Sequence, residues 1–214
     1  MKSIKHLFKS VYNRRMKEIE LKAHVYDRKD IIEKLESFST FVKSIKKYDT
    51  YYHLQSENSK SGKPYVTARI REEYFSDTNG DSKKIYLTYK NKELSADPDG
   101  EKIEINDERE TVVENRETLE ILFADIGFTV AHKKQKVVES YETETDFGKA
   151  TLELCTIPEL GDLIEIEILS ENPTEEKIQL IQQELKKLLK KCNIPLSQIE
   201  EKYYTQMLRE IKEK

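Results

Sequence analysis

Charged residues recur two positions apart in several segments of this 214-residue chain, the spacing that places successive side chains on one face of a strand. "KEIELK" alternates Glu18, Glu20 and Lys22 with Ile19 and Leu21. "ARIRE" sets Arg69 and Arg71 around Ile70, "HKKQK" sets Lys134 and Lys136 two apart, "LTYK" adds Lys90, and "LIEIEIL" sets Glu165 and Glu167 between aliphatic residues. One such strand alone would read as apolar inside and charged toward solvent. Here the charges are grouped by sign and by strand, which suits the inverse arrangement, with charged faces lining a wet interior. Four carboxylates confined together repel by roughly several kcal/mol unless a cation sits among them. A divalent ion that prefers hard oxygen ligands, Mg²⁺ or Mn²⁺, meets that need through Glu18, Glu20, Glu165 and Glu167, together with substrate phosphates. Lys22, Arg69, Arg71, Lys90, Lys134 and Lys136 would then bind phosphate oxygens, Arg by its bidentate fork.

Such a site needs a scaffold, and the same periodicity supplies one. "KEIELKAHVY", "FVKSIKKYDTYYHL", "PYVTARIREEYF", "KKIYLTYKNK", "EKIEINDERETVV", "TVAHKKQKVVESYET", "GKATLELCTI" and "DLIEIEILS" read as strands. Polar or turn-rich stretches separate several of them, among them "SENSKSGK", Asn79-Gly80 and "SADPDG". Helices are expected in "DRKDIIEKLESFST", in "ENRETLEILFADIGF" ending near Gly127, in "TEEKIQLIQQELKKLLKKC" capped by Thr174, and in "PLSQIEEKYYTQMLREIKEK". The fold class expected is α+β, with about eight antiparallel strands closed into a barrel or tunnel, which removes exposed edges, and helices covering its apolar outside. Residues 1–16 form a basic leader, read as a short helix through Ile4, Leu7, Phe8 and Val11; residues 17–214 form a single domain that includes the C-terminal helices.

Composition limits the function classes. Forty-one acidic against 37 basic residues leave a net charge of -4, so no global field recruits nucleic acid. Cys155 and Cys192 lie far apart without a CxxC, and the four histidines lack zinc-ligand spacing. No apolar run approaches the ~20 residues of a membrane span, and a cytoplasmic protein is expected. His132 and His24 are candidate bases, although each reads more simply as structural. Tyr48, Tyr51, Tyr52, Tyr86 and Tyr89 could stack a flat ring at the tunnel mouth, or simply pack.

Taken together, these motifs resemble the CYTH family, the triphosphate tunnel metalloenzymes, which includes class IV adenylyl cyclases and thiamine triphosphatases. "EIELK" matches the family's ExExK signature without a gap. "KKYDTYYHL" is similar to its second-strand segment with an Asp and aromatics, "ARIRE" to its RxR strand, "LTYK" to its lysine strand, "LGDLIEIEIL" to its terminal ExE strand and "KYYTQML" to its closing helix. The resemblance covers nearly all of the chain after the leader and is nearest the cyclase branch. It implies an eight-stranded triphosphate tunnel with Mg²⁺ or Mn²⁺ held by Glu18, Glu20, Glu165 and Glu167. The implied substrate is a small-molecule triphosphate such as ATP, thiamine triphosphate or tripolyphosphate, with no nucleic-acid or membrane partner. Related cyclases imply a homodimer.

Two positions depart from the family. Val138 stands where an Arg is expected, with Lys136 as the preceding Lys, unless Lys134 and Lys136 serve as the pair. Cys155 stands where an Asp is expected. Joint loss of an Arg and an Asp on neighbouring strands is what removal of a buried ion pair would look like. Three functions stay open: a cyclase converting ATP to cyclic AMP and pyrophosphate by 3'-hydroxyl attack on the α-phosphorus, a tripolyphosphatase or organic triphosphatase, and a non-catalytic triphosphate-binding module.

Overall fold

The computed structural model describes residues 16–55, 65–77, 80–96 and 102–212. Residues 1–15 of the leader, "SENSKSGK" and Asn79, and residues 97–100 of "SADPDG", lie outside the described residues. Eight strands follow one another as β1 (Met16–Val25), β2 (Thr40–Gln55), β3 (Tyr65–Asp77), β4 (Gly80–Ala96), β5 (Lys102–Val113), β6 (Thr129–Thr145), β7 (Gly148–Ile157) and β8 (Gly161–Glu171). Helices α1 (Arg28–Phe38) and α2 (Arg116–Asp125) interrupt them, and α3 (Glu175–Lys191), a 3₁₀ turn (Leu196–Gln198) and α4 (Tyr204–Lys212) complete the chain. The fold is mixed α+β, a curled antiparallel sheet with helices outside.

The helices start where side-chain oxygens replace the missing acceptors of the first turn. Asp27 accepts from the Asp30 amide at 3.1 Å, Asn115 from Thr118 at 2.9 Å, and Thr174 from Lys177 at 3.2 Å. In α3, Glu175 and Glu176 lie at the positive end and Lys190 and Lys191 at the negative end, each favourable to the helix dipole. Gly148, at φ 108°, makes the turn between β6 and β7 in a conformation that costs side-chain-bearing residues strain.

Strand pairing runs β1-β5-β4-β3-β2-β6-β7-β8 and returns from β8 to β1, so the hydrogen-bonded order closes on itself. The β1–β5 seam is short, from Lys17↔Asp107 to Glu20↔Glu104, whereas β1 and β8 pair along the whole of β1. Past Glu20 the vacant edge of β1 is taken by the C-terminal segment: Ile199 bridges Ala23, and the Glu200 amide donates to the Lys22 carbonyl at 2.8 Å. That pairing requires extended backbone. It divides the helix expected over "PLSQIEEKYYTQMLREIKEK" into the 3₁₀ turn and α4.

Apolar side chains point outward, beneath helices. Ile19, Leu21 and Ala23 of β1, Leu152 and Leu154 of β7, and Ile164, Ile166 and Ile168 of β8 pack with Ile31 and Leu35 of α1 and with Ile181, Leu185, Leu188 and Leu189 of α3. A smaller cluster joins Tyr52, Ala68 and Ile70 to Phe123 of α2. With the apolar faces covered from outside, alternation sends the charged faces inward. No helix among the described residues is long and apolar enough to cross a membrane.

Candidate tunnel site

The inward faces enclose a cavity of about 560 Å³. Glu18 and Glu20 of β1 and Glu165 and Glu167 of β8 line it together with Arg69 and Arg71 of β3 and Lys134 and Lys136 of β6. Glu20 stands opposite Glu167, and Lys22 opposite Glu165, in the β1–β8 ladder. Eight of the ten candidate residues thus share one cavity. Lys22 is buried beside it, 3.5 Å from Glu104. Lys90 lies in β4 opposite Glu108, its side chain outside those described.

The four candidate carboxylates divide into two groups. Ligand atoms of Glu18, Glu20 and Glu167 lie within 4.8 Å of one another. Asn106 of β5 donates from its amide to Glu18 at 2.9 Å, and the other amide atom, Oδ1, has no hydrogen-bond partner among the described residues. A hard oxygen is therefore left beside a cluster of hard oxygens. Burial, with Glu18 and Glu153 adding repulsion, raises the Glu167 carboxyl from 4.5 to about 8. Three carboxylates this close, one of them reluctant to ionise, could together hold a metal ion.

Glu165 belongs to the second group, with Glu153 and Cys155 of β7. Lys136 donates to Glu165, to Glu153 at 3.2 Å and to the Cys155 sulfur at 3.5 Å. Lys47 of β2 holds the other Glu153 oxygen at 2.5 Å. Burial would raise Glu153, but Lys47 and Lys136 bring it down to about 2. Burial would likewise raise Glu165, and Lys136 and Lys134 hold it well below the usual carboxylate range. The Cys155 thiol is pushed upward by burial, so it stays protonated.

The cationic wall is built on Asp49. Its two oxygens accept from Arg71 Nε at 2.7 Å and Nη2 at 3.0 Å, and Lys134 lies 3.6 Å away. Asp49 is fully buried; desolvation opposes its charge, yet Arg71 and Lys134 keep it ionised well below its ordinary pKa. Arg69 donates to Thr88 at 3.1 Å and reaches Glu108 and Glu110 at 3.4 Å. In the cavity lining Tyr51 and His132 stack with ring centroids 4.2 Å apart, beside a register shift between β2 and β6. Tyr86 and Tyr89 also line the cavity, whereas Tyr48 lies outside on the sheet and Tyr52 bonds Glu120 at 2.6 Å. His24 pairs with Glu200 at 3.0 Å, away from the lining. Tyr204 of α4 puts its ring under Lys134, at 4.2 Å, and Lys22, at 4.8 Å.

A model of the CYTH domain matches residues 16–204. The chain belongs to the CYTH domain family. CYTH domains bind triphosphate substrates and are in general metal-dependent, as the carboxylate and guanidinium faces here would allow. Among solved structures, the PH1819 protein of Pyrococcus horikoshii is 27% identical, with a TM-score of 0.69 over 90% of this chain and 98% of that one. The PH1012 protein of the same organism is 24% identical, with a TM-score of 0.62 over 88% and 98%. A candidate adenylate cyclase from Vibrio parahaemolyticus shares the fold at 13% identity, with a TM-score of 0.64 over 90% and 97%. No curated protein matches the chain.

Within this CYTH tunnel, Glu153, Lys47, Glu104 and Asp49 join the expected residues. Glu153 and Cys155 alternate around Leu154, and Glu104 and Asn106 around Ile105. The same two-residue spacing that marked the other strands marks these as inward-facing.

Proposed function

We propose that the chain is a divalent-metal-dependent enzyme acting on an organic triphosphate, converting ATP to cyclic AMP and pyrophosphate in the manner of class IV adenylyl cyclases. The observation that carries this reading is one cavity with the Glu18–Glu20–Glu167 trio on β1 and β8 and Arg69, Arg71 and Lys134 on the far strands β3 and β6. Glu18, Glu20 and Glu167 would hold Mg²⁺ or Mn²⁺, which when bound supplies Lewis-acid polarisation of phosphoryl oxygens. Arg71, fixed from behind by Asp49, presents a pre-oriented guanidinium to the polyphosphate. Arg69, Lys134, Lys22 and Lys90 add positive charge along its length and stabilise charge developing on the departing pyrophosphate. Tyr51 stacked on His132 offers a flat shelf for a base, which favours an organic triphosphate over bare tripolyphosphate.

Val138 facing Cys155 favours a second reading, a triphosphate-binding module without turnover, because the resemblance implies an Arg and an Asp at these two positions. Incubation with Mg²⁺ or Mn²⁺ and, in turn, ATP, thiamine triphosphate and tripolyphosphate, followed by product analysis, separates the readings. Cyclic AMP from ATP is the expected product, lost in Glu18→Gln/Glu20→Gln. Orthophosphate release would replace the cyclase by a triphosphatase, and tight binding without product would favour the module.

A further inference from the structure

Among the described residues two three-ligand groups face the tunnel, and they differ in what already occupies them. Glu153 and Glu165 are directly opposite in the β7–β8 ladder, and Cys155 is the next inward residue on β7. Their ligand atoms lie within 4.8 Å of one another, the spacing a metal ion would use. The Lys136 ammonium contacts all three, and only 3% of its side chain is exposed. An ammonium has three N–H donors and no acceptor, so three convergent acceptors use its full capacity.

Charge balance points the same way. Glu73, Glu153 and Glu165 carry three negative charges, and Lys47, Lys136 and, beside Glu165, Lys134 return three positive ones. A divalent ion added there would leave a buried excess of positive charge, which is costly. Val138, Ile45, Ile157 and Leu163, all buried, lie near this group on the same or paired strands.

We infer that Lys136 is a built-in cation, its ammonium filling the Glu153–Cys155–Glu165 position that would otherwise take a second divalent ion, so that the free chain binds one such ion. The inference rests on the reading that Glu18, Glu20 and Glu167 bind the first ion. Removing the ammonium converts the second group into a mixed oxygen and sulfur site, one that a thiophilic ion such as Cd²⁺ occupies through a Cys155 thiolate.

The test is ion stoichiometry on the full chain without triphosphate. Mn²⁺ titration followed by electron paramagnetic resonance should give one bound ion in the wild type and in Lys136→Arg, and two in Lys136→Met. Cd²⁺ should produce a thiolate charge-transfer band in Lys136→Met, absent from the wild type and lost when Cys155→Ser is added. Two Mn²⁺ ions in the wild type would overturn the inference without any variant needing to fold. So would a Lys136→Met protein of native circular dichroism that binds only one ion and gives no Cd²⁺ band. No ion in the wild type but one, with the Cd²⁺ band, in Lys136→Met would uphold the role of Lys136 while removing the Glu18–Glu20–Glu167 ion on which the proposed function depends.

Discussion

Val138 and Cys155 stand directly opposite each other in the β6–β7 ladder, both with no solvent exposure. The two departures are thus one contact, an apolar cross-strand pair where the resemblance implies an Arg and an Asp. Exchange of a charged pair for an apolar one is tolerated when both partners change and costly when one does.

A double-mutant cycle tests this. Val138→Arg alone buries a guanidinium against Ile45 and Cys155, and Cys155→Asp alone adds a third carboxylate around Lys136. Each should cost about 3–5 kcal/mol in urea unfolding. The double variant should recover about 0.5–3 kcal/mol of the sum. Strict additivity would show that the two positions do not communicate.

Asp49 anchors the cationic wall, and Asp49→Asn should destabilise the chain by about 3–5 kcal/mol, because Arg71 and Lys134 keep their charges after losing their anion. The pH dependence has a definite sign. The Asp49 carboxyl is held below its ordinary 3.8 in the folded chain, so its contribution is complete above that pH and is lost as pH falls through the lower folded value. Acid unfolding followed by circular dichroism should therefore be less steep in Asp49→Asn than in the wild type.

Glu167 has the opposite sign. Its carboxyl is raised from 4.5 to about 8, so the folded chain keeps a proton that the unfolded chain has released. Stability from this group is full below pH 4.5 and falls as pH rises through about 8. Divalent ion binding inside that window must expel the proton. Calorimetry in two buffers of different ionisation enthalpy should show release of about one proton per Mn²⁺ bound, vanishing above the window and in Glu167→Gln. Ion uptake without proton release at neutral pH would place the ion elsewhere.

Glu18, Glu20, Arg69, Arg71, Lys134, Lys136, Glu165 and Glu167 were legible as a cavity lining because a two-residue period survives from sequence to sheet. Their division into two groups was not. It depends on Glu153 lying opposite Glu165, a pairing set by the β7–β8 register rather than by either strand's own pattern. Asp49 was visible as part of a motif, but its bidentate hold on Arg71 follows from the β2–β3 register. The split of the last helix arises from a backbone bridge between Ile199 and Ala23, residues far apart in the chain, and local helix signals carry no trace of that contact.

Tyr204 brings the C-terminal helix to bear on the tunnel. Its ring lies 4.2 Å from the Lys134 ammonium and 6.0 Å from Lys136, both on β6, and 4.8 Å from Lys22 on β1. Met207, one turn further along α4, packs with Ile157 and Leu163 in the same cluster. The three ammonium groups gather around one ring, whose π electrons add to the attraction of their carboxylate partners Asp49, Glu104 and Glu165. Bulk and aromaticity are separable by substitution. Tyr204→Phe keeps the ring and should stay nearest the wild type in thermal unfolding. Tyr204→Leu keeps apolar bulk but loses the π face, and should cost a further ~0.5–2 kcal/mol. Tyr204→Ala also opens a cavity, for a total of about 3–5 kcal/mol. Added salt should narrow the gap between the Phe and Leu variants if charge is the cause. Equal stability of those two variants at low salt would mean that Tyr204 acts as a plug alone.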